Sequence, residues 1–410
     1  MLALAWTLSS NRGRIPWRVI VGGLLLQLTF AIIVLKVPQG REVFQWIGDG
    51  FTRLLNYVDD GSKFVFGQTP VQTEERVAGE RSLVLTPAYM VHLVAFKVLP
   101  TIIFFSSLMS LLYYFGVMQL VVKCLAVIMQ RTLGTSGAES LSAAGNIFVG
   151  QTEAPLLVRP YLNEMTDSEI MAVMVGGFAT IAGGVMAAYV TFGVEAVHLL
   201  TASVMSAPAA LVVAKVMQPE VDHPKTLGTV EVTPPIEAIN PIDAAARGAH
   251  DGLTLALNVG AMLIAFIALM HLLDGLFMYL TGLIGQSYSL TDVLAYASAP
   301  FAWLMGISAD ESLAAGRILS RRILLNEFLA YIDLGAAASG AEPTLSPRSR
   351  DIMTYALCGF ANFSSIGIQL GGLGPIAPNK RGCLVRLGFR AMLGGLLACY
   401  MTACVASLLI

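Results

Sequence analysis

Two carboxylates stand in segments that otherwise have the composition of membrane-embedded chain. Glu153 closes the run Asn146-Ile-Phe-Val-Gly150-Gln151-Thr152-Glu153-Ala-Pro155, and Glu327 lies in Leu325-Asn326-Glu327-Phe328. A charged side chain at bilayer depth costs roughly 2.5–3.5 kcal/mol on insertion scales and by default marks function. A glycine, a polar run and a proline cannot continue a lipid-facing helix. They suit the tip of a re-entrant hairpin, where open backbone groups are tolerated only against protein or a wet cavity. The flanking apolar stretches 136–149 and 154–162 are each too short to cross, as two arms meeting at a tip would be. The plainer alternative is that each carboxylate staples its own hairpin by accepting backbone N–H bonds.

The groups collected near these tips have a consistent chemistry. Gln151 and Asn362 carry amides that donate and accept, Glu153 and Glu327 are strong acceptors, and Thr152, Ser364 and Ser365 add hydroxyls. Phe360 adds an aromatic face. No Lys or Arg accompanies either tip, although Arg317, Arg321 and Arg322 lie upstream of the second. The set favours a neutral solute rich in hydroxyl and amide groups over an anion. Amide side chains suit a nucleobase edge, and a carboxylate suits vicinal hydroxyls.

An internal repeat positions these groups. Residues 134–145 read GTSGAESLSAAG and residues 306–316 read GISADESLAAG; downstream, GFATI at 177–181 is matched by GFANF at 359–363. The order is the same in both copies, which points to a duplication. The stretches FATIAGG (178–184) and FANFSSIG (360–367) put small, hydroxyl and amide residues in the middle of apolar spans, where they permit local unwinding. Each half therefore offers one hairpin tip and one broken helix. Glu139 and Glu311 recur inside the repeat and are expected to cap or pair nearby. An odd number of crossings between the copies would make them inverted-topology repeats, an arrangement common in secondary transporters, with the solute site between them.

The whole chain of 410 residues is 56% hydrophobic and only 13% charged, where soluble domains carry about a quarter charged residues. Its mean hydropathy is +0.71. Apolar blocks at 19–37, 90–120, 196–217, 253–273 and 383–410 are long enough to span a bilayer. Residues 1–10 are apolar but too short to cross, so the first span is expected to be truncated or to begin upstream. Arg12, Arg14 and Arg18, and later Lys380, Arg381, Arg386 and Arg390, belong on the cytoplasmic side by the positive-inside rule, together with the polar linker 218–243. Between Arg41 and Val58 the residues Val43, Phe44, Ile47, Phe51, Leu54, Leu55 and Val58 recur at helical spacing, with Glu42, Asp49 and Arg53 opposite. This reads as an amphipathic helix lying in the interface, followed by a polar loop to Ser82. Net charge −2 with no basic run gives nucleic acid no purchase. Cys124, Cys358, Cys383, Cys399 and Cys404 show no metal or redox spacing and are expected to be buried free thiols. The scattered histidines form no zinc-binding pair, and no catalytic metal is expected.

At its motifs the chain closely resembles the concentrative nucleoside transporters. The matching stretches are GNIFVGQTEAPLLVRPYL (145–162), ALNVGAMLIAF (256–266), NEFLAY (326–331) and ALCGFANFSSIGIQLGGLGPIAPNKRG (356–382), and the likeness covers nearly the whole chain. The resemblance implies an all-α integral membrane protein with about eight transmembrane helices, two re-entrant hairpins and interfacial helices. It implies a homotrimer in a bacterial inner membrane, a scaffold and a mobile transport part. Gln151, Thr152, Glu153 and Val185 would face the base; Glu327, Asn362 and Ser365 would face the ribose, with Phe360 beside the sugar. A sodium site would use Asn146, Val149, Thr180 and Ile181, with Thr180 standing where relatives are expected to carry serine. No cofactor beyond the coupling ion is expected. The expected division is scaffold over 1–115, a first transport repeat over 116–217, a linker over 218–245, a scaffold span over 246–290 and a second transport repeat over 291–410.

The function implied is sodium-coupled import of uridine-like nucleosides by elevator-type alternating access. A proton-coupled importer, with a carboxylate such as Glu153 titrating, is the alternative, and a carrier of another neutral polar solute is a further one. An intramembrane hydrolase would need a Ser–His, Asp–Asp or zinc constellation, and the spans hold none. A channel would use rings of carbonyls or charges rather than paired hairpins.

Overall fold

The computed structural model describes residues 1–66, 71–77, 80–86, 94–228, 238–283, 289–338 and 344–410. After a short helix α1 (Leu2–Thr7) comes α2 (Trp17–Leu35), an apolar rod whose buried stripe includes Gln27. Gln27 anchors it: its Nε2 donates to Thr402 Oγ1 at 2.9 Å and to Met205 O at 3.3 Å. The amphipathic segment forms α3 (Pro38–Phe66), longer than its periodic core suggested. Its Phe51 ring packs on Phe105 at 4.5 Å and Val58 is buried, whereas Trp46 and Val43 face outward.

The expected loop after α3 is instead a β-hairpin, β1 (Val71–Val77) and β2 (Glu80–Thr86), paired antiparallel from Val71↔Thr86 to Val77↔Glu80. Its Val- and Thr-bearing residues suit pleated chain. The apolar block expected at 90–120 is also divided. It yields α4 (Val94–Tyr114) and α5 (Val117–Leu133), because Gly116 adopts φ +77°, a left-handed conformation that turns the chain. The two helices are bent by 79° across this joint. Residues 90–93 lie outside the described residues.

The first repeat then builds α6 (Gly137–Gly145), a tip with a 3-10 turn at Ala154–Val158, and the interrupted pair α7 (Asp167–Ala179) and α8 (Gly183–Thr191). Helix α9 (Ala196–Met217) follows, then the long α10 (Pro241–Gly282). Residues 229–237 of the linker lie outside the described residues. The second repeat adds α11 (Leu290–Leu304), α12 (Ser312–Leu324), α13 (Glu327–Ala338), α14 (Pro347–Leu357) and α15 (Phe363–Ile376), and α16 (Arg381–Ser407) closes the chain. Both hairpins and both breaks thus fall where the motifs place them.

By length and composition, four described helices can cross a membrane: Trp17–Leu35, Asp167–Thr191, Ala196–Met217 and Pro378–Ser407. The bent pair at Gly116 would make a fifth. The core is made by α7, α9 and α16, where Phe178, Leu199, Leu211 and Ala398 are wholly buried. Helices α4 and α10 pack through glycines: a Cβ on Gly248 would meet Ser106 O at 2.7 Å, and one on Gly252 would meet Ile103 Cα at 2.7 Å. Ser107 and Ser110 hydroxyls donate to Ala245 O and Ala244 O across the same contact. Small residues allow this close backbone approach, and interhelical hydrogen bonds fix it.

Arginines near the end of the chain tie it to earlier elements. Arg390 donates to Leu8 O, Met217 O and Gln218 Oε1, and Arg386 pairs with Asp167. The repeat carboxylates behave as expected. Glu139 forms a capping box with Ser136 and an ion pair with the buried Lys215 at 2.6 Å. Glu311 accepts from the N–H and hydroxyl of Ser346, the cap of α14. In each half the start of the hairpin is thereby tied to the start of the broken helix, since Ser136 also donates to Glu169 at 2.6 Å. The thiols are free, but only Cys358 and Cys399 are buried; Cys124 is exposed, and Cys383 and Cys404 are intermediate. The expectation that all five lie inside fails because apolar neighbours in sequence do not say which helix face turns outward.

Candidate functional site

Gly145 ends α6, and the tip runs from Asn146 to Glu153. Glu153 Oε2 turns back to accept from Gly150 N, and a Cβ at Gly150 would meet that oxygen at 2.5 Å, so a side chain there would push the carboxylate aside. The stapling alternative is therefore realised in part at this tip. Glu153 nevertheless remains exposed to the space around it. The tip is tied to the first break by Gly183 N donating to Phe148 O at 2.9 Å. Within the break Thr180 is extended, and its hydroxyl donates to Gly176 O at 2.9 Å.

Glu327 behaves differently. Its Oε1 accepts from Tyr189 Oη at 3.1 Å and its Oε2 from Asn362 Nδ2 at 2.9 Å, so it bridges the first broken helix to the second. Tyr189 is held by stacking on Tyr331, ring centres 4.2 Å apart. Asn362 caps α15 with the other end of its amide, accepting from Ser365 N at 2.9 Å and Ser364 Oγ at 2.7 Å. Asn326 Oδ1 accepts from Leu329 N at 3.1 Å. The two breaks touch directly, since a Cβ at Gly359 would meet Phe178 O at 2.6 Å.

These elements enclose a cavity of about 410 Å³. The first tip contributes Gly150, Gln151, Thr152 and Glu153; the first break contributes Ala182 and Val185. The second hairpin contributes Asn326, Glu327 and Phe328, and the second break contributes Phe360, Asn362, Ser364, Ser365 and Ile368. Every residue assigned to solute contact from the sequence, from Gln151 to Ser365, lines this one space. The sequence reading gave no role to the wall that α10 supplies with Leu255, Asn258, Val259 and Ala261. Asn258 is an amide inside the ALNVGAMLIAF run, a signal that could have found it. The hydroxyl of Tyr189 was missed as well.

No Lys or Arg is among the lining residues, so the cavity offers amide, hydroxyl, carboxylate and aromatic contacts without a fixed positive charge. Beside it, Asn146 is fully buried, and neither its Oδ1 nor its Nδ2 has a hydrogen-bond partner among the described residues. Asn146 Nδ2 sits 3.0 Å from where a Cβ on Gly176 would be, one turn before the buried Thr180. A buried amide left without partners is costly. The side-chain oxygens of Asn146 and of the buried Thr180 are of the kind that a small hard cation takes as ligands.

The fold and cavity define a helical membrane carrier, with one site drawn from two interrupted halves. Family models described as "Na+ dependent nucleoside transporter C-terminus" and "N-terminus" match residues 198–407 and 1–69, and one described as "Nucleoside recognition" matches 95–196. An "Uncharacterized transporter" of Haemophilus influenzae is 42% identical over 416 residues, covering 100% of this chain and 95% of its own length. "Sodium/nucleoside cotransporter 1" of Mus musculus is 40% identical over 421 residues, covering 100% of this chain and 62% of its own. "Solute carrier family 28 member 3" of Eptatretus stoutii is likewise 40% identical, and this chain spans 59% of its length. The solved structure of CNTnw in an inward-facing substrate-bound state superposes with a TM-score of 0.89 at 40% identity, covering 100% of this chain and 95% of that one. A variant of CNTnw in an outward-facing state matches with the same TM-score at 39% identity. The chain belongs to the Na+-dependent nucleoside transporter family, a family of carriers and not of enzymes.

Proposed function

We propose that the protein imports uridine-like nucleosides by symport with sodium. The observation that carries this reading is the cavity itself, which gathers Gln151, Thr152 and Glu153 from one tip with Glu327, Asn362 and Ser365 from the other half. In it, Gln151, Thr152, Glu153 and Val185 take the base, Glu327, Asn362 and Ser365 take the ribose hydroxyls, and Phe360 packs beside the sugar. Sodium is held by Asn146, Thr180 and the carbonyls of Val149 and Ile181. This is supported by the unpartnered amide of Asn146 beside the cavity. The coupling ion travels with the solute and is no resident cofactor.

The scaffold is residues 1–115 and 246–290, and the carrier is 116–217 and 291–410, joined by the linker 218–245. The protein works as a homotrimer of about eight-span subunits in the bacterial inner membrane, with the exposed apolar face of α10, which includes Leu257, Ile264 and Leu272, covered by lipid or by neighbouring copies. Uptake by purified protein in liposomes, with sodium replaced by choline, tests the proposal. Uridine accumulation that needs sodium is expected. Accumulation of free bases or amino acids without uridine would overturn the substrate assignment, and full uptake in choline driven by a proton gradient would overturn the sodium assignment.

A further inference from the structure

One arginine lies wholly inside the carrier. Arg322, near the end of α12, is 0% exposed, and its guanidinium donates to Ala356 O at 2.5 Å, Gly359 O at 3.1 Å and Cys399 Sγ at 3.1 Å. Those carbonyls belong to the last turn of α14 and to the break after it, where helix carbonyls lack intrahelical partners and the helix dipole is negative. Glu327, across the same hairpin, grips the same break through Asn362. The two side chains thus hold one unwound segment from its two ends, on either side of the joint between α12 and α13.

The first half is built without such a group. Its break is satisfied by neutral donors: Thr180 Oγ1 to Gly176 O, and Gln369 Nε2 to Met174 O at 3.0 Å. By the GFATI and GFANF motifs, Met174 corresponds to Ala356, so Gln369 stands in the first half where Arg322 stands in the second. Glu153 also lines a second cavity, which it shares with Asp251, another acid, and with Arg247. There Arg247 is engaged by Asp243 at 3.0 Å. So a charged donor holds the break only in the second half, and the buried Lys215 of the first half is taken up by Glu139 and Glu220.

We propose that Arg322 is a tethered counter-charge for Glu327, doing in the second half the charge balancing that a mobile cation does in the first. This rests on the reading of the site as a sodium-coupled nucleoside carrier. Arg322 is a positioning residue: it touches the break and not the solute. The other titratable groups around the pair are the phenols of Tyr189, Tyr331 and Tyr400 and the thiols of Cys358 and Cys399, none of them a carboxylate or a basic group.

The test measures uridine affinity against pH from 5 to 9 in saturating sodium, using purified full-length protein and ligand-induced thermal stabilisation. Wild type and Arg322→Lys should give flat profiles. In Arg322→Gln, which keeps a donor for the carbonyls but removes the charge, a proton takes the place of the guanidinium on Glu327. Affinity should then fall about tenfold at the acid end and recover as pH rises, because the solute prefers the ionised carboxylate. Adding Glu327→Gln should flatten that profile at the weak level. A pH profile of Arg322→Gln that superimposes on wild type, or a slope that survives in the double variant, overturns the proposal. Should Arg322→Gln fail to fold, the wild type decides: a flat profile is expected, and an affinity that falls about tenfold at the acid end overturns the proposal. A wild type that binds no nucleoside at all would instead sink the functional reading, leaving the counter-charge idea without a substrate.

Discussion

At the scale of single residues, the two tip carboxylates are similar in sequence and different in situation. Glu153 accepts from its own tip, whereas Glu327 is held by Tyr189 and Asn362 from two other elements. Replacing Glu327 with Gln should weaken nucleoside binding by about 1.5–3 kcal/mol, because a charge-assisted hydrogen bond to a hydroxyl becomes a neutral one. Isothermal titration with ribose and deoxyribose nucleosides separates the roles. The ribose form should lose more, and equal losses would mean that Glu327 only holds the hairpin to the breaks. Asn146→Ala and Thr180→Ala remove side-chain oxygens beside the first break. Each should raise the sodium concentration for half-maximal uptake by roughly tenfold, corresponding to ~1.4 kcal/mol. Sodium titrations unchanged in both variants would take the cation away from these positions.

At the scale of elements, interruption is what makes the site possible. A continuous helix has no free backbone groups at mid-membrane, whereas each break here exposes them and refills them with named partners. The packing of α4 on α10 has the opposite requirement, close and uninterrupted approach through Gly248 and Gly252. Gly252→Leu places a branched side chain against the backbone of Ile102 and Ile103. Overpacking of this kind costs about 1–3 kcal/mol, so the variant should unfold at lower temperature in detergent. A melting temperature equal to wild type would show that the two helices can separate without loss.

At the scale of the molecule, α10 is the axis along which a carrier could travel. At about 1.5 Å per residue, its length from Pro241 to Gly282 corresponds to roughly 60 Å, longer than a bilayer core is thick. Three cavities line up on it: one near Arg247 and Asp251, the central one at Leu255 to Ala261, and one near His271 and Asp274. A carrier sliding past α10 would bring the tips to different depths. Cysteines placed next to Gln151 and at Leu257 should therefore crosslink at different rates with and without uridine, and the crosslinked protein should bind but not transport. Equal crosslinking in every condition with uptake intact would favour local gating over movement of one part against the other.

The sequence by itself determined which segments could not be ordinary lipid-facing helices. Polar tips at 146–153 and 325–328 and unwound motifs at 177–181 and 359–363 are local violations of membrane composition, and local composition is enough to expose them. The residues of the cavity were legible for the same reason, since amides, hydroxyls and carboxylates stand out among apolar neighbours. Tertiary structure alone decided what each of them meets. Tyr189 looks like one more aromatic in a span until it is found 3.1 Å from Glu327, and Arg322 looks like one of three surface arginines until it is found buried on the second break. The outward face of Cys124 was likewise hidden. The Gly116 turn and the β1–β2 pairing are local and were passed over, whereas the contacts of Tyr189 and Arg322 join residues far apart in the chain and the face of Cys124 depends on which side of a helix packing leaves uncovered. Neither of the latter is fixed by the identity of the neighbours in sequence.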